Sequence, residues 1–186
     1  TSVGELACEL FSGGERIEYT GDFGSQTAKT KEFMERGTKV IYEATFCFDG
    51  ILVMVDILCI GKDGLIINEV KSSTSVKEVY IDDASIQHYV ISSLGYKVSA
   101  INIIHIDSSY VRGEKLKLEK FFHTEEVTEQ VKQKQAGIPK ILSKFDEILS
   151  KNVEPEIDIG PHCSDPYLCD AWEYCWCEQR GIPEYS

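Results

Sequence analysis

Cations are scarce in this sequence, and it has no long apolar run. Only 19 Lys and Arg stand against 31 Asp and Glu in 186 residues, a formal net charge of −12. That shortage excludes an extended basic surface of the kind that gathers nucleic-acid phosphates, and confines any such contact to a local patch. No stretch approaches the roughly 18 consecutive apolar residues of a membrane span. The opening residues, Thr1 to Leu10, carry acids where a secretory leader would carry a basic and then an apolar region. Internal repeats and low-complexity tracts are also absent. These features imply a cytoplasmic chain with no membrane partner.

A hydrophobic fraction of 42% in this length supports one core, with room for an appendage. Val3 to Phe11 reads as a short helix with no visible cap, ended by Ser12-Gly13-Gly14, so the chain looks like a piece of a longer protein. Ile17 to Tyr19 adds a little extended structure, and Gln26 to Arg36 reads as a helix closed by Gly37. Three strands follow, Lys39 to Phe48, Ile51 to Ile60 and Leu65 to Val70. Both of their faces are apolar, with Tyr42, Phe46, Val53, Val55 and Ile57 on one and Ile41, Cys47, Leu52, Met54, Leu58 and Ile67 on the other. Such a sheet must be covered on both sides. A polar connection leads to a helix over Asp82 to Leu94, on which Asp83 and Gln87 share a stripe. The β-branched run Val98 to Ile106 then reads as a buried strand, reached through a helical crossover and so parallel to its neighbour. A short strand near Phe121-Phe122 and a helix from Val127 to Leu149, interrupted near Gly137, lead to an extended connector and a cysteine-rich tail.

Counting outward from the turns aligns three acids. Asp49-Gly50 suits a two-residue type I′ hairpin, because both positions need positive φ. Pairing Phe48 with Ile51 then sets Glu43 opposite Asp56. A turn centred between Lys62 and Asp63 sets Asp56 opposite Glu69. Like charges directly opposed on a sheet repel, with Cβ atoms roughly 5 Å apart. Either a divalent cation offsets the repulsion, or the carboxyl pKa values separate. Lys71 falls on the same side of its strand as Glu69. An ammonium beside a metal-binding carboxylate pair is a hydrolytic arrangement; a solvated face of acids with a nearby lysine is the plain alternative.

Seven cysteines are unevenly spread. Cys8, Cys47 and Cys59 lie inside apolar patterns, where a thiol acts as a small hydrophobe. Cys163, Cys169, Cys175 and Cys177 crowd the tail, and in a cytosolic chain such a group reads as metal or iron–sulfur ligation before disulfides.

The order helix, three antiparallel strands, helix, strand, with Asp56 and Glu69-Val70-Lys71 in place, resembles the core of the PD-(D/E)XK nuclease superfamily. The fold class this implies is α/β, a restriction-endonuclease-like core over residues 1–150 with flanking helices, followed by a cysteine-rich tail over 151–186 that packs on it. Gln87-His88-Tyr89 is similar to the QxxxY element of the RecB-like branch, although Tyr89 follows Gln87 by two residues rather than four. The tail is similar to that of CRISPR-associated RecB-like exonucleases and related bacterial proteins, where cysteines hold an iron–sulfur cluster.

The resemblance implies metal ligands at Asp56, Glu69 and the Val70 carbonyl, holding Mg2+ or Mn2+, with Glu43 as an extra ligand from the register count. Lys71 becomes the catalytic lysine, and Gln87 orients it or the substrate. Tyr89, His88 and Lys77 are the candidate substrate contacts, and Arg112 and Lys115 are further phosphate contacts. Cys163, Cys169 and Cys175 match three cluster ligands of a [4Fe-4S] group. The fourth comes from sequence before Thr1, or Cys177 or Cys8 substitutes for it, and Zn2+ on the same thiolates is the competing assignment. The expected activity is metal-dependent exonucleolytic hydrolysis of DNA, with single strands or DNA ends as the partner. The alternative is a catalytically weak nuclease-like binding or scaffold module serving further domains of the same polypeptide. His105 reads as a core group and His123 as exposed.

Overall fold

A computed structural model describes residues 2–183. The chain divides into two compact units, Thr1–Pro139 and Lys140–Ser186. That division assigns most of the helix after Gly137 to the second unit, where the sequence pointed to a boundary at 150. The first position of the expected nuclease-like part and the last three of the expected tail lie outside the described residues.

The first unit is an α/β arrangement built on one mixed, open six-stranded sheet, with strands in chain order across it. Its elements are α1 (Val3–Cys8), β1 (Glu15–Arg16), α2 (Phe23–Glu35), β2 (Val40–Phe48), β3 (Ile51–Ile60), β4 (Leu65–Lys71), α3 (Glu78–Ser93), β5 (Val98–Ile106), α4 (Leu118–Phe121), β6 (Phe122–Glu126) and α5 (Thr128–Lys134). The helix α6 (Ile138–Leu149) follows. β2, β3 and β4 form an antiparallel meander, β5 runs parallel to β4 through the α3 crossover, and β6 closes the edge antiparallel to β5. No helix among the described residues is long and apolar enough to cross a membrane.

The turn chemistry sets the register as expected. Asp49 and Gly50 have φ of 50° and 77°, the two positive values of a type I′ loop, and Phe48 pairs with Ile51. The β3–β4 pairs run from Ile60↔Leu65 to Ile57↔Asn68, which leaves Glu69 one step beyond Asn68, level with Asp56.

Several local expectations need correction. α1 is capped after all: Ser2 accepts from the Glu5 amide while the Glu5 carboxylate accepts from the Ser2 amide. The first strand lies at Glu15–Arg16 rather than Ile17 to Tyr19, because it is these two residues that pair in parallel with Ile41 and Tyr42. α3 starts at Glu78, four residues before the expected start at Asp82, so the polar connection is shorter.

The simple alternation of faces along β2 and β3 also fails. Ile41, Ala44, Phe46, Val53, Val55 and Leu58 belong to one core cluster, with Phe33 of α2 and with Ala84 and Ile91 of α3. Tyr42 and Ile57 belong to another, with Ala7, Ile104 and Phe122. The side presented therefore switches between Tyr42 and Ala44. Glu43 sits at that switch with φ of 58°, and the pairs on either side of it are Tyr42↔Ile57 and Ala44↔Val55. A positive φ at a non-glycine residue costs of order 1 kcal/mol or more and needs support from its surroundings.

In the second unit, the indoles of Trp172 and Trp176 stack with centroids 5.5 Å apart and planes 12° apart. The Tyr174 hydroxyl donates to Glu154 at 2.8 Å, and Arg180 pairs with Asp158. Contacts within this unit thus engage Trp172, Trp176 and Tyr174.

Candidate active site

The end of β4 carries the site. The β3–β4 ladder stops at Ile57↔Asn68, and there the Asp56 carboxylate takes over as an acceptor: its Oδ2 receives the Val70 amide at 2.7 Å. Glu69, only 6% exposed, accepts from Lys71 Nζ on Oε1 at 2.9 Å and from Gln87 Nε2 on Oε2 at 2.8 Å. Lys71 Nζ also donates to Asp83 Oδ2 at 2.8 Å and lies 5.4 Å from the centre of the Tyr80 ring. Lys77, just before α3, lies 6.0 Å from the centre of the same ring. Asp83 and Gln87 stand four residues apart on α3, so one helical face delivers both partners to the lysine and its carboxylate.

Glu43 closes the row on the other side. Its Oε1 accepts from Arg16 at 3.3 Å, while a second Arg16 nitrogen lies 3.5 Å from Cys8 Sγ. Cys8 lies on α1, and burial raises its thiol pKa, helped by the fields of Glu43 and Asp56 and opposed by Arg16.

These acids are held in a medium that disfavours their charge. Burial pushes Asp56 up to about 6; the Val70 amide pulls down, and the neighbouring Glu43 pushes further up. Burial likewise pushes Glu69 up to about 7, with Asp56 adding to it and Lys71 and Gln87 opposing. Burial also raises Glu43, despite Arg16. For Lys71, burial works against the charge, but Glu69 and Asp83 outweigh it and the ammonium is firmly retained. Burial thus sets two carboxyls with raised pKa values beside a retained ammonium.

The oxygen-only chemistry of Asp56, Glu69 and the Val70 carbonyl suits a hard divalent cation. As the side chains stand, Lys71 and Gln87 occupy both Glu69 oxygens. Among the described residues, no three His, Cys, Asp or Glu groups converge as a metal site. That holds for the acid row and for Cys163, Cys169, Cys175 and Cys177 alike. Cys163 is buried and joined to Cys169 through their backbones at 2.8 Å, and Cys169 is exposed.

The remaining candidates separate. Tyr89 packs edge-on against Phe48 with centroids 6.4 Å apart, a core contact. His88 Nε2 lies 3.4 Å from Ser92 Oγ within the same helix. Neither makes a contact with the acid row. His105 is buried, as expected, but not satisfied: Nδ1 donates to the Ile106 carbonyl at 3.1 Å, and Nε2 has no hydrogen-bond partner. His123 is exposed, as expected.

Two site residues escaped the sequence reading. Asp83 shares the stripe of Gln87, and that i, i+4 spacing is the sequence signal for its role. Arg16 left no signal, since it reaches Glu43 only through a two-residue parallel strand.

Comparison of the chain with known protein families, with curated proteins and with solved structures finds no match.

Proposed function

We propose that the first unit is a PD-(D/E)XK-type nuclease domain that hydrolyses phosphodiester bonds in DNA with Mg2+ or Mn2+. The observation that carries this reading is the joint placement of Asp56, Glu69 and Lys71 at the end of β4, with Asp83 and Gln87 aiming at them from one face of α3. Asp56 and Glu69, with the Val70 carbonyl, would hold the cation, which when bound supplies an activated water and polarises a phosphoryl oxygen. Lys71 then turns its permanent positive charge towards the developing negative charge on phosphorus. Asp83 keeps the ammonium at that place before substrate arrives. Gln87 fixes the orientation of the Glu69 carboxylate, since its amide nitrogen also faces the Met54 carbonyl at 3.4 Å. The four tail cysteines stay in this reading as candidate ligands of a [4Fe-4S] cluster or of Zn2+, which metal and sulfide analysis of the purified protein decides.

The test is cleavage of single- and double-stranded DNA labelled at either end, with Mg2+ or Mn2+, comparing the wild type with Lys71→Ala. Loss of a general acid–base or charge-stabilising group lowers the rate by roughly 10²–10⁴-fold. No cleavage from a folded, metal-supplemented wild type would overturn the enzyme reading and leave the nuclease-like binding module.

A further inference from the structure

The acid row poses a problem of approach: a phosphodiester chain has to reach it on a protein of net charge −12. Parallel pairing sets Lys71 of β4 level with His105 of β5, and antiparallel pairing sets His105 level with His123 of β6. Lys71, His105 and His123 therefore form a second row beside the acids, with His105 Nε2 4.0 Å from the Glu125 carboxylate. At a strand spacing of about 4.8 Å, His123 stands roughly 10 Å from Lys71.

His123 also lines a cleft of about 870 Å³ beyond the ends of β5 and β6, with Asp107, Tyr110, Lys115, Lys117 and Lys120. The segment Tyr110 to His123 holds four Lys and Arg against two acids, the reverse of the balance of the chain. Lys115, Lys117 and Lys120 are exposed and have no ion-pair partner among the described residues. Lys29, Lys31, Arg36, Lys132, Lys134 and Lys151 are paired with acids, while Lys39, Lys62 and Lys97 at the other end of the sheet share with the cleft lysines the lack of an ion pair among the described residues. Three acids, Asp107, Glu114 and Glu119, line the cleft beside the three lysines, and Asp107 is already engaged by the Ser109 amide and hydroxyl at 2.8 and 2.7 Å. The wall is built rather than loose: the Lys117 amide donates to the Tyr110 hydroxyl at 3.0 Å, and the Tyr110 ring meets Phe121 edge-on at 5.7 Å.

The geometry points to this cleft as a binding site for the sugar–phosphate backbone of a nucleic-acid strand, carrying the part of the strand that runs on from the scissile phosphate at Lys71. It rests on the nuclease reading for its location, but its chemistry is separate: Lys115, Lys117, Lys120 and His123 contact phosphates away from the reacting one. Such contacts carry no base preference.

Binding of a fluorescent oligothymidine of roughly 20 nucleotides, longer than the ~4–16 of a typical single-strand site, is measured by anisotropy with a chelator present, so that no cleavage intervenes. The variant K115A/K117A/K120A is compared with K39A/K62A/K97A. The latter removes equal charge from the opposite end of the sheet, where Leu65 meets Val98. Circular dichroism verifies that both fold. The cleft variant is expected to bind at least tenfold more weakly, and its salt slope to fall by about 2, since each phosphate contact on single strands contributes roughly 0.7. The control is expected to keep the wild-type slope.

Equal weakening in both variants, wild-type affinity in the cleft variant, or no binding by the wild type would overturn the proposal. Cleavage by a wild type whose binding ignores the cleft lysines would refute the cleft alone. Cleft-dependent binding by a protein that cleaves nothing would support the cleft and refute the nuclease.

Discussion

Asp56→Asn should stabilise the metal-free protein at alkaline pH while abolishing cleavage. Asn keeps an oxygen to receive the Val70 amide, which Asp56 now accepts at 2.7 Å, and removes only the charge. Folding raises the Asp56 pKa from an ordinary 3.8 to about 6, chiefly through burial. A carboxyl that binds its proton more tightly when folded makes the native state lose stability as pH rises between those two values. A shift of roughly two units corresponds to ~3 kcal/mol, or about 2 kcal/mol once solvent screening of this partly exposed carboxyl is allowed for. Glu69 adds to the effect, because the Asp56 charge is among the causes that push it up to about 7.

The assay is urea unfolding of wild type and Asp56→Asn in chelator, at pH about 4 and about 8, reading the change in the difference between them. This double difference cancels any intrinsic cost of the amide. It is expected to favour the variant at the higher pH by about 2 kcal/mol, corresponding to a melting shift of roughly 4–8 °C for a chain of this size. Added Mg2+ should then stabilise the wild type more than the variant. A double difference near zero, or one favouring the wild type at high pH, would refute the claim that the acid row is held against its charge.

Three other expectations follow from the same contacts. Asp83→Ala frees Lys71 from its 2.8 Å tether without touching the carboxylate pair, so cleavage should fall by about tenfold, in the range of orienting contacts around metal ligands; unchanged kinetics would remove Asp83 from the machinery. Gln87→Ala deletes a buried donor to Glu69 and should cost roughly 1–3 kcal/mol in urea unfolding at neutral pH. A loss under about 0.5 kcal/mol would mean that water replaces it. Tyr42→Phe removes the hydroxyl that donates to the Phe11 carbonyl at 2.6 Å and accepts from Gly14 at 3.3 Å. It should cost about 1 kcal/mol and speed amide exchange at Gly14, and unaltered exchange would count against it.

How far the sequence could be read follows from which constraints are local. Asp49-Gly50 fixes a loop of two residues, and a loop of known length fixes every pair that follows, so the levels of Glu43, Asp56 and Glu69 were legible before any coordinates. The parallel placement of β5 was legible because a strand reached through a helix has few other options. The switch of faces at Glu43 was not. Its positive φ belongs to a residue with no marked preference for it, and with apolar residues on both sides the hydrophobic pattern fits either parity. The Ser2–Glu5 capping box does carry a local signal, a serine three residues before a glutamate.

Arg16 shows the opposite limit, because two residues of parallel strand have no periodicity to read. It nevertheless explains how the row tolerates Glu43. The guanidinium offsets one end of the acid series as Lys71 offsets Glu69 at the other, so Asp56 between them is the acid with no ion pair among the described residues. A fold seeking only stability would lose both Asp56 and Glu69 by amide substitution.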